Sequence, residues 1–207
     1  MKKRKFSFDG MLIATFLTTI FYSSTYPYIH KHIISEVSED FLALNQILNC
    51  LSTIVYGYIW NKTDKIFKYC SFLCVFECLT TIGTTLFCIF TKNIVAYYIM
   101  DTMAFALITR NFICAGAKLK AMRYRTEKER EHFDNNNCSV SAAATIIGAS
   151  IAMVLNLNFE TMLCLATLGN TIDNFIYIFI YEKEKKKEEL RWKELITQNI
   201  TKAKENV

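Results

Sequence analysis

The sequence predicts an all-α polytopic membrane protein with six transmembrane helices and both termini in the cytoplasm. Three observations carry that prediction. Six apolar stretches, 10–29, 41–60, 69–90, 94–118, 138–157 and 161–181, fill most of the 207 residues. A helix rising about 1.5 Å per residue crosses a hydrocarbon core of about 30 Å with about 20 such residues. Charge is confined to the gaps, because of 24 Lys and Arg residues only Arg110 lies well inside a stretch. The basic residues also favour every second gap, which orients the spans.

The elements follow in chain order. Lys2, Lys3, Arg4 and Lys5 open the chain, a typical start for a signal peptide. The apolar run behind them is too long for one, and no small-residue cleavage site follows Tyr28. Residues 1–9 are therefore a basic cytoplasmic N-terminus, and span one carries the only proline, Pro27. That proline is expected to kink or end the helix. An outer loop of about eleven residues leads to span two, and Lys62, Lys65 and Lys68 follow it inside. Spans three and four form a hairpin with a three-residue outer turn. A basic inner loop, 119–137, then separates two units of three helices, an arrangement that suits the internal repeats of transporters. Within it, Thr126 followed by Glu129 reads as a capping box, with a short surface helix leading into span five.

Spans five and six close the transmembrane domain, 10–181. In the charged cytoplasmic tail, 182–207, Trp192, Leu195, Ile196 and Ile200 fall at helical spacing. The tail is read either as an amphipathic helix on the inner leaflet or as a solvated extension of span six. The outer loops hold only Lys31 and Lys92, which keeps the basic gaps inside.

Gly57, Gly83, Gly116, Gly148 and Gly169 are expected where helices approach closely. The tyrosines Tyr26, Tyr28, Tyr97, Tyr98, Tyr177 and Tyr181 read as an interfacial belt. Cys70, Cys74 and Cys78 form a small-residue stripe rather than a metal site, since no histidine accompanies them. His30, His32 and His132 read as loop residues, and no nucleophile constellation or phosphate loop is evident. The reading is therefore of a non-enzyme without cofactor or metal, whose partner is the lipid bilayer and not nucleic acid.

The ionisable residues inside the spans carry the chemistry: Glu77, Asp101, Arg110 and Asp173. A charge at mid-membrane costs on the order of 2.5–3.5 kcal/mol. Such residues persist when they pair with one another or line a polar cavity. Asp101 and Arg110 share a span nine residues apart, about 13 Å of rise, so they do not pair directly. Carboxyls at the depth of Glu77 and Asp173 have the placement a proton-coupled carrier needs. A static pair of Arg110 with a carboxylate is the alternative. Asn45 and Asn49 share one helix face, and Asn170, Asp173 and Asn174 another. With Tyr22, Ser23, Ser24 and Thr25 they line a cavity or bond between helices.

The loop Gly57-Tyr-Ile-Trp-Asn61-Lys62-Thr63-Asp64-Lys65 resembles the signature loop of the major facilitator superfamily, G-x-x-x-D-R-x-G-R-K, between that family's second and third helices. Gly57, Asn61, Lys62 and Lys65 fall at matching spacing. Asn61 stands where the family has an acid, Lys62 where it has Arg, and Asp64 where it has a turn glycine. Arg110, followed by Gly116, partly resembles the arginine of the family's antiporters in span four, and Cys114 stands where the family has a glycine four residues on. The resemblance covers one six-helix half, similar to the N-terminal domain. It implies a bacterial plasma-membrane transporter for a small molecule. As half of a twelve-helix carrier, it would require a homodimer or a partner six-helix half. A truncated transporter half, or a non-transport subunit that binds another membrane protein, is the competing reading.

Overall fold

The computed structural model describes residues 9–62, 66–154 and 157–205, with side chains at 66–68, 192, 195 and 198–205 excepted. These residues form six long helices. They are α1 (Gly10–Glu36), α2 (Glu39–Lys62), α3 (Ile66–Thr91), α4, α5 (Glu127–Val154) and α6 (Phe159–Glu205). Helix α4 runs as Ile94–Ala104, a π-helical turn at Phe105–Thr109, and Arg110–Arg123. Four stretches are long and apolar enough to cross a membrane, as an integral membrane protein requires: Glu39–Lys62, Tyr69–Thr91, Glu127–Val154 and Phe159–Arg191. Helix α1 is diluted by Tyr22-Ser-Ser-Thr-Tyr-Pro27, and the π-turn splits α4 into α-helical pieces of 11 and 14 residues.

Several sequence expectations change. Helix α1 passes through Pro27 and ends only at Glu36. The outer loop expected at eleven residues is therefore just Val37 and Ser38. His30-Lys-His32-Ile-Ile is polar enough to read as loop, but Ile29 and Ile33 are buried on one helix face. His30 and His32 thus lie on α1, and His132 lies on α5. The expected inner loop, 119–137, shrinks to Tyr124–Thr126. Its short surface helix is the first part of α5. The capping box is present there: Thr126 N donates to Glu129 Oε2 and Glu129 N to Thr126 Oγ1, each at 3.2 Å. The tail continues α6 without a break, as the extension reading expected. The side chains of Trp192, Leu195 and Ile200 lie outside the described residues.

The packing has a regular plan. Helix α1 packs on α5 and α6, α4 packs on α2 and α3, and α3 packs on α6. Exchanging α1, α2, α3 for α4, α5, α6 maps this set of partners onto itself. Side-chain hydrogen bonds follow the same pairs. Tyr28 OH donates to the Ala152 carbonyl at 2.6 Å, tying α1 to α5. Trp60 Nε1 donates to Asn111 Oδ1 at 2.6 Å, tying α2 to α4. Thr85 and Thr167 share a 2.6 Å bond between α3 and α6. Glycines serve the plan unequally. A Cβ on Gly148 would sit 2.6 Å from the Ile20 carbonyl oxygen, and one on Gly169 2.4 Å from Phe21 Cβ. Gly57 and Gly83 face open space, so for them the close-approach expectation fails.

Two cores close the ends of the bundle. Met11, Trp60, Cys70, Cys74, Phe112, Leu119 and Tyr181 pack at the end that holds the α1 N-terminus. Ile29, Ile33, Tyr97, Tyr98, Met162 and Leu163 pack at the opposite end. At the first end Asp9 caps α1, its Oδ1 accepting from Met11 N at 3.0 Å and lying 3.2 Å from Arg123 Nη2. Asp9 Oδ2 accepts from Tyr124 OH, and burial followed by this bond pushes the Tyr124 phenol above its ordinary range. One carboxylate thus joins the starts of α1 and the end of α4. Asp9→Ala is expected to lower stability by about 1–3 kcal/mol, combining the lost cap with a half-buried ion pair. Thermal unfolding in detergent measures it. Asp9→Asn, which keeps the cap, should recover part of the loss.

Candidate functional site

Beside the second of these cores lies a cavity of about 610 Å³, within the size range of small-molecule sites, with Ile29, Ile33, Tyr97, Tyr98 and Leu163 of that core in its wall. It is walled by α1, α2, α3, α4 and α6. Six of the eight residues singled out from sequence line it: Glu77, Asp101, Arg110, Asn45, Asn49 and Asn170. Each is placed by its helix's packing. Asn49 Nδ2 donates to Asn45 Oδ1 at 2.5 Å, one turn apart on α2, and Asn45 Nδ2 donates to Tyr98 OH at 3.0 Å. That chain fixes α2 against α4. On α6, Asn170 Nδ2 donates to Thr81 Oγ1 of α3 at 3.0 Å.

Asp173 and Asn174 do not line the cavity. Helix α6 turns Asp173 toward Thr18 of α1. Asn174 is fully buried, and its Nδ2 donates to the Asn170 carbonyl at 3.0 Å. Both remain close to the cavity wall, because Asp173 and Asn174 neighbour the Glu77 carboxyl along with Thr109 and Asn170. Glu77 itself is buried on α3.

The charged residues are not neutralised by one another. Among the described residues the ion pairs are Lys92–Glu160, Lys120–Asp134, Arg123–Asp9 and Lys187–Glu184, all away from the cavity. The static pair of Arg110 with a carboxylate is therefore absent among the described residues. Arg110 instead lies over the Phe105 ring at 5.1 Å, and its Nε has no partner. Glu77 Oε2 and Asn49 Oδ1 are also buried without a partner. Unsatisfied polar atoms in an apolar setting each cost about 1–3 kcal/mol, which makes this cavity the candidate site.

The π-turn at Phe105–Thr109 separates Asp101 from Arg110, with Arg110 N bonding the Phe105 carbonyl. Such turns recur at functional sites. Sequence reading missed several wall residues. Tyr97 and Tyr98, read as an interfacial belt, are buried and line the cavity with Tyr22, Tyr26 and His30. Tyr22 and Tyr26 stack at 4.4 Å, and Tyr26 and His30 at 5.3 Å. Their spacing of four along α1 was the available signal.

The signature-loop residues stand apart from the cavity. Gly57, Asn61 and Lys62 end α2, where the Lys62 ammonium lies 4.3 Å from the Tyr58 ring centroid. Asp64 and Lys65 lie outside the described residues. Comparison with known families, curated proteins and solved structures found no match to any of them.

Proposed function

We propose that the chain is a half-size secondary transporter of the major facilitator type, acting on a small molecule in a bacterial plasma membrane. In this reading all six helices span the membrane with both termini in the cytoplasm. A single observation carries it: a cavity beside the second apolar core, lined by Glu77, Asp101 and Arg110 with none of them in an ion pair among the described residues. Charges at that depth are retained where they serve a solute or ion pathway. The partner plan supports it too, since exchange of α1–α3 for α4–α6 is the pattern of an inverted three-helix repeat. Glu77 with Asp173 is the proposed proton-carrying pair.

A cavity walled by helices of one six-helix unit needs a second such unit to alternate its access. A second copy is the proposed partner, related by a two-fold axis along the membrane normal. Helix α2 favours a competing reading. It packs mainly on α4, leaving Leu44, Ile47, Leu51, Ile54 and Val55 exposed along it. That face would equally serve a non-transport subunit seated on another membrane protein.

Vesicle reconstitution separates the two. A transporter should move solute down an imposed proton gradient, and Glu77→Gln should remove the dependence on that gradient. Arg110→Ala should reduce uptake about 10- to 100-fold, the equivalent of one charge-assisted bond of about 1.5–3 kcal/mol. A protein that stays monomeric in mild detergent and is inert in vesicles would sink the transport reading.

A further inference from the structure

The cavity holds Asp101 and Arg110, charges of opposite sign at different heights, and neither is in an ion pair among the described residues. Asp101 sits on the Ile94–Ala104 segment, half-buried, with Tyr97 as its electrostatic neighbour and Tyr26 beyond it. Tyr22, Tyr26, Tyr97 and Tyr98 surround that part of the wall. An aromatic wall beside a carboxylate suits an ammonium, which is drawn to ring faces as well as to the acid. Arg110 lies about 13 Å further along the helix axis, its guanidinium over Phe105 and its Nε unsatisfied. That fork matches a carboxylate in two-point contact. Glu77 is the third charge; it lies among Thr109, Asn170 and Asn174 with its Oε2 unpartnered, and in the transport reading it carries the proton.

A ligand carrying one charge would leave the opposite pole unpaired. An inorganic ion would leave most of the 610 Å³ empty. We propose that the cavity binds an elongated zwitterion, its amine at Asp101 and its carboxylate at Arg110, with a short peptide as the fitting chemical class. Charged hydrogen bonds of about 2.8 Å at each end leave at most about 7–10 Å between the ligand's charges, since the guanidinium reaches back over Phe105 toward Asp101. An extended chain of two to three residues spans that distance at about 3.3–3.6 Å per residue. The proposal rests on the cavity being a solute site, as in the transport reading, and names the solute.

Binding is tested apart from transport, on the purified full-length protein in lipid nanodiscs by calorimetry. The probes are tri-alanine, N-acetyl-tri-alanine and tri-alanine amide. Tri-alanine should bind, and each capped form should bind at least about tenfold more weakly. Asp101→Asn should erase the preference for the free amine while keeping that for the free acid. Arg110→Gln should do the reverse, and Arg110→Lys should restore part of the acid preference. Retained thermal unfolding transitions show that these variants fold, and the Lys variant supplies a second reading if the Gln variant does not.

No binding of tri-alanine, equal binding of the capped forms, or loss of both preferences in either variant overturns the proposal. Selective binding without proton-driven uptake overturns the transport reading and leaves the ligand class standing. Proton-driven uptake of a different solute, with tri-alanine inert, does the opposite.

Discussion

Gly148→Ala is expected to destabilise the bundle, whereas the same change at Gly57 is expected to be neutral or stabilising. In both cases alanine raises helix propensity by about 1 kcal/mol. At Gly57 nothing lies near the added methyl. At Gly148 the methyl would meet the Ile20 carbonyl oxygen at 2.6 Å and Ser23 Cβ at 2.8 Å. Those are parts of α1's main chain and first side-chain atom, which cannot swing aside as a long side chain would. Helix α1 must then move off α5, at a cost of about 1–3 kcal/mol for overpacking. The displacement also strains the bond from Tyr28 OH to the Ala152 carbonyl. In a membrane, where packing rather than exclusion of water holds helices together, lost contact has little to replace it. Gly148→Val should be worse, extending the mismatch to a branched side chain. Thermal unfolding of the four variants in one detergent, with Gly83→Ala as a second control, decides it. Equal stability of Gly148→Ala and Gly57→Ala would refute the close contact between α1 and α5.

Tyr181→Ala is expected to open the core at the α1 N-terminal end. Tyr181 is 1% exposed and packs among Cys70, Cys74, Leu119 and Ile180. Tyr177 lies beside it at 6.1 Å between ring centroids. Removing a buried aromatic ring costs about 3–5 kcal/mol through lost contact and the cavity left behind. The local consequence is more specific than the global one. Cys70 and Cys74, both fully buried, face the vacated volume. Their modification by a membrane-permeant maleimide should accelerate about tenfold or more, since thiol reaction requires access. Peptide mass spectrometry resolves each site, and the exposed Cys50 and Cys138 serve as internal references. Unchanged rates at Cys70 and Cys74 would mean that Tyr181 does not seal this end.

Much of the helical layout was legible in the residues, and so were the charged residues and asparagines of the cavity lining. Uninterrupted apolar runs leave little alternative to helices. Charges at Glu77, Asp101 and Arg110 stand out because nothing around them in the chain is polar enough to explain them. The capping box at Thr126 was legible because its two bonds are local. What escaped depends on packing between distant segments. Asn170, Asp173 and Asn174 look equivalent along α6, yet only Asn170 reaches the cavity while Asp173 meets Thr18. Gly57 and Gly148 are the same residue type in similar runs, and only the neighbouring helix distinguishes them. The first outer loop was overestimated because polarity marks the water boundary, not the end of hydrogen bonding. A helix continues past it at no cost when Ile33 has a core to join.

The π-turn in α4 settles which way Arg110 looks. Each α-helical residue advances about 100° around the axis, so nine residues amount to two and a half turns. A regular helix would therefore aim Asp101 and Arg110 in opposite directions, one toward the cavity and one away from it. The wider turn at Phe105–Thr109 absorbs about one residue of that rotation and brings the two within roughly a quarter turn of each other. Leu107, 55% exposed, occupies the outward bulge. A single residue's worth of slack in the backbone thus turns Arg110 onto the cavity wall that also carries Asp101.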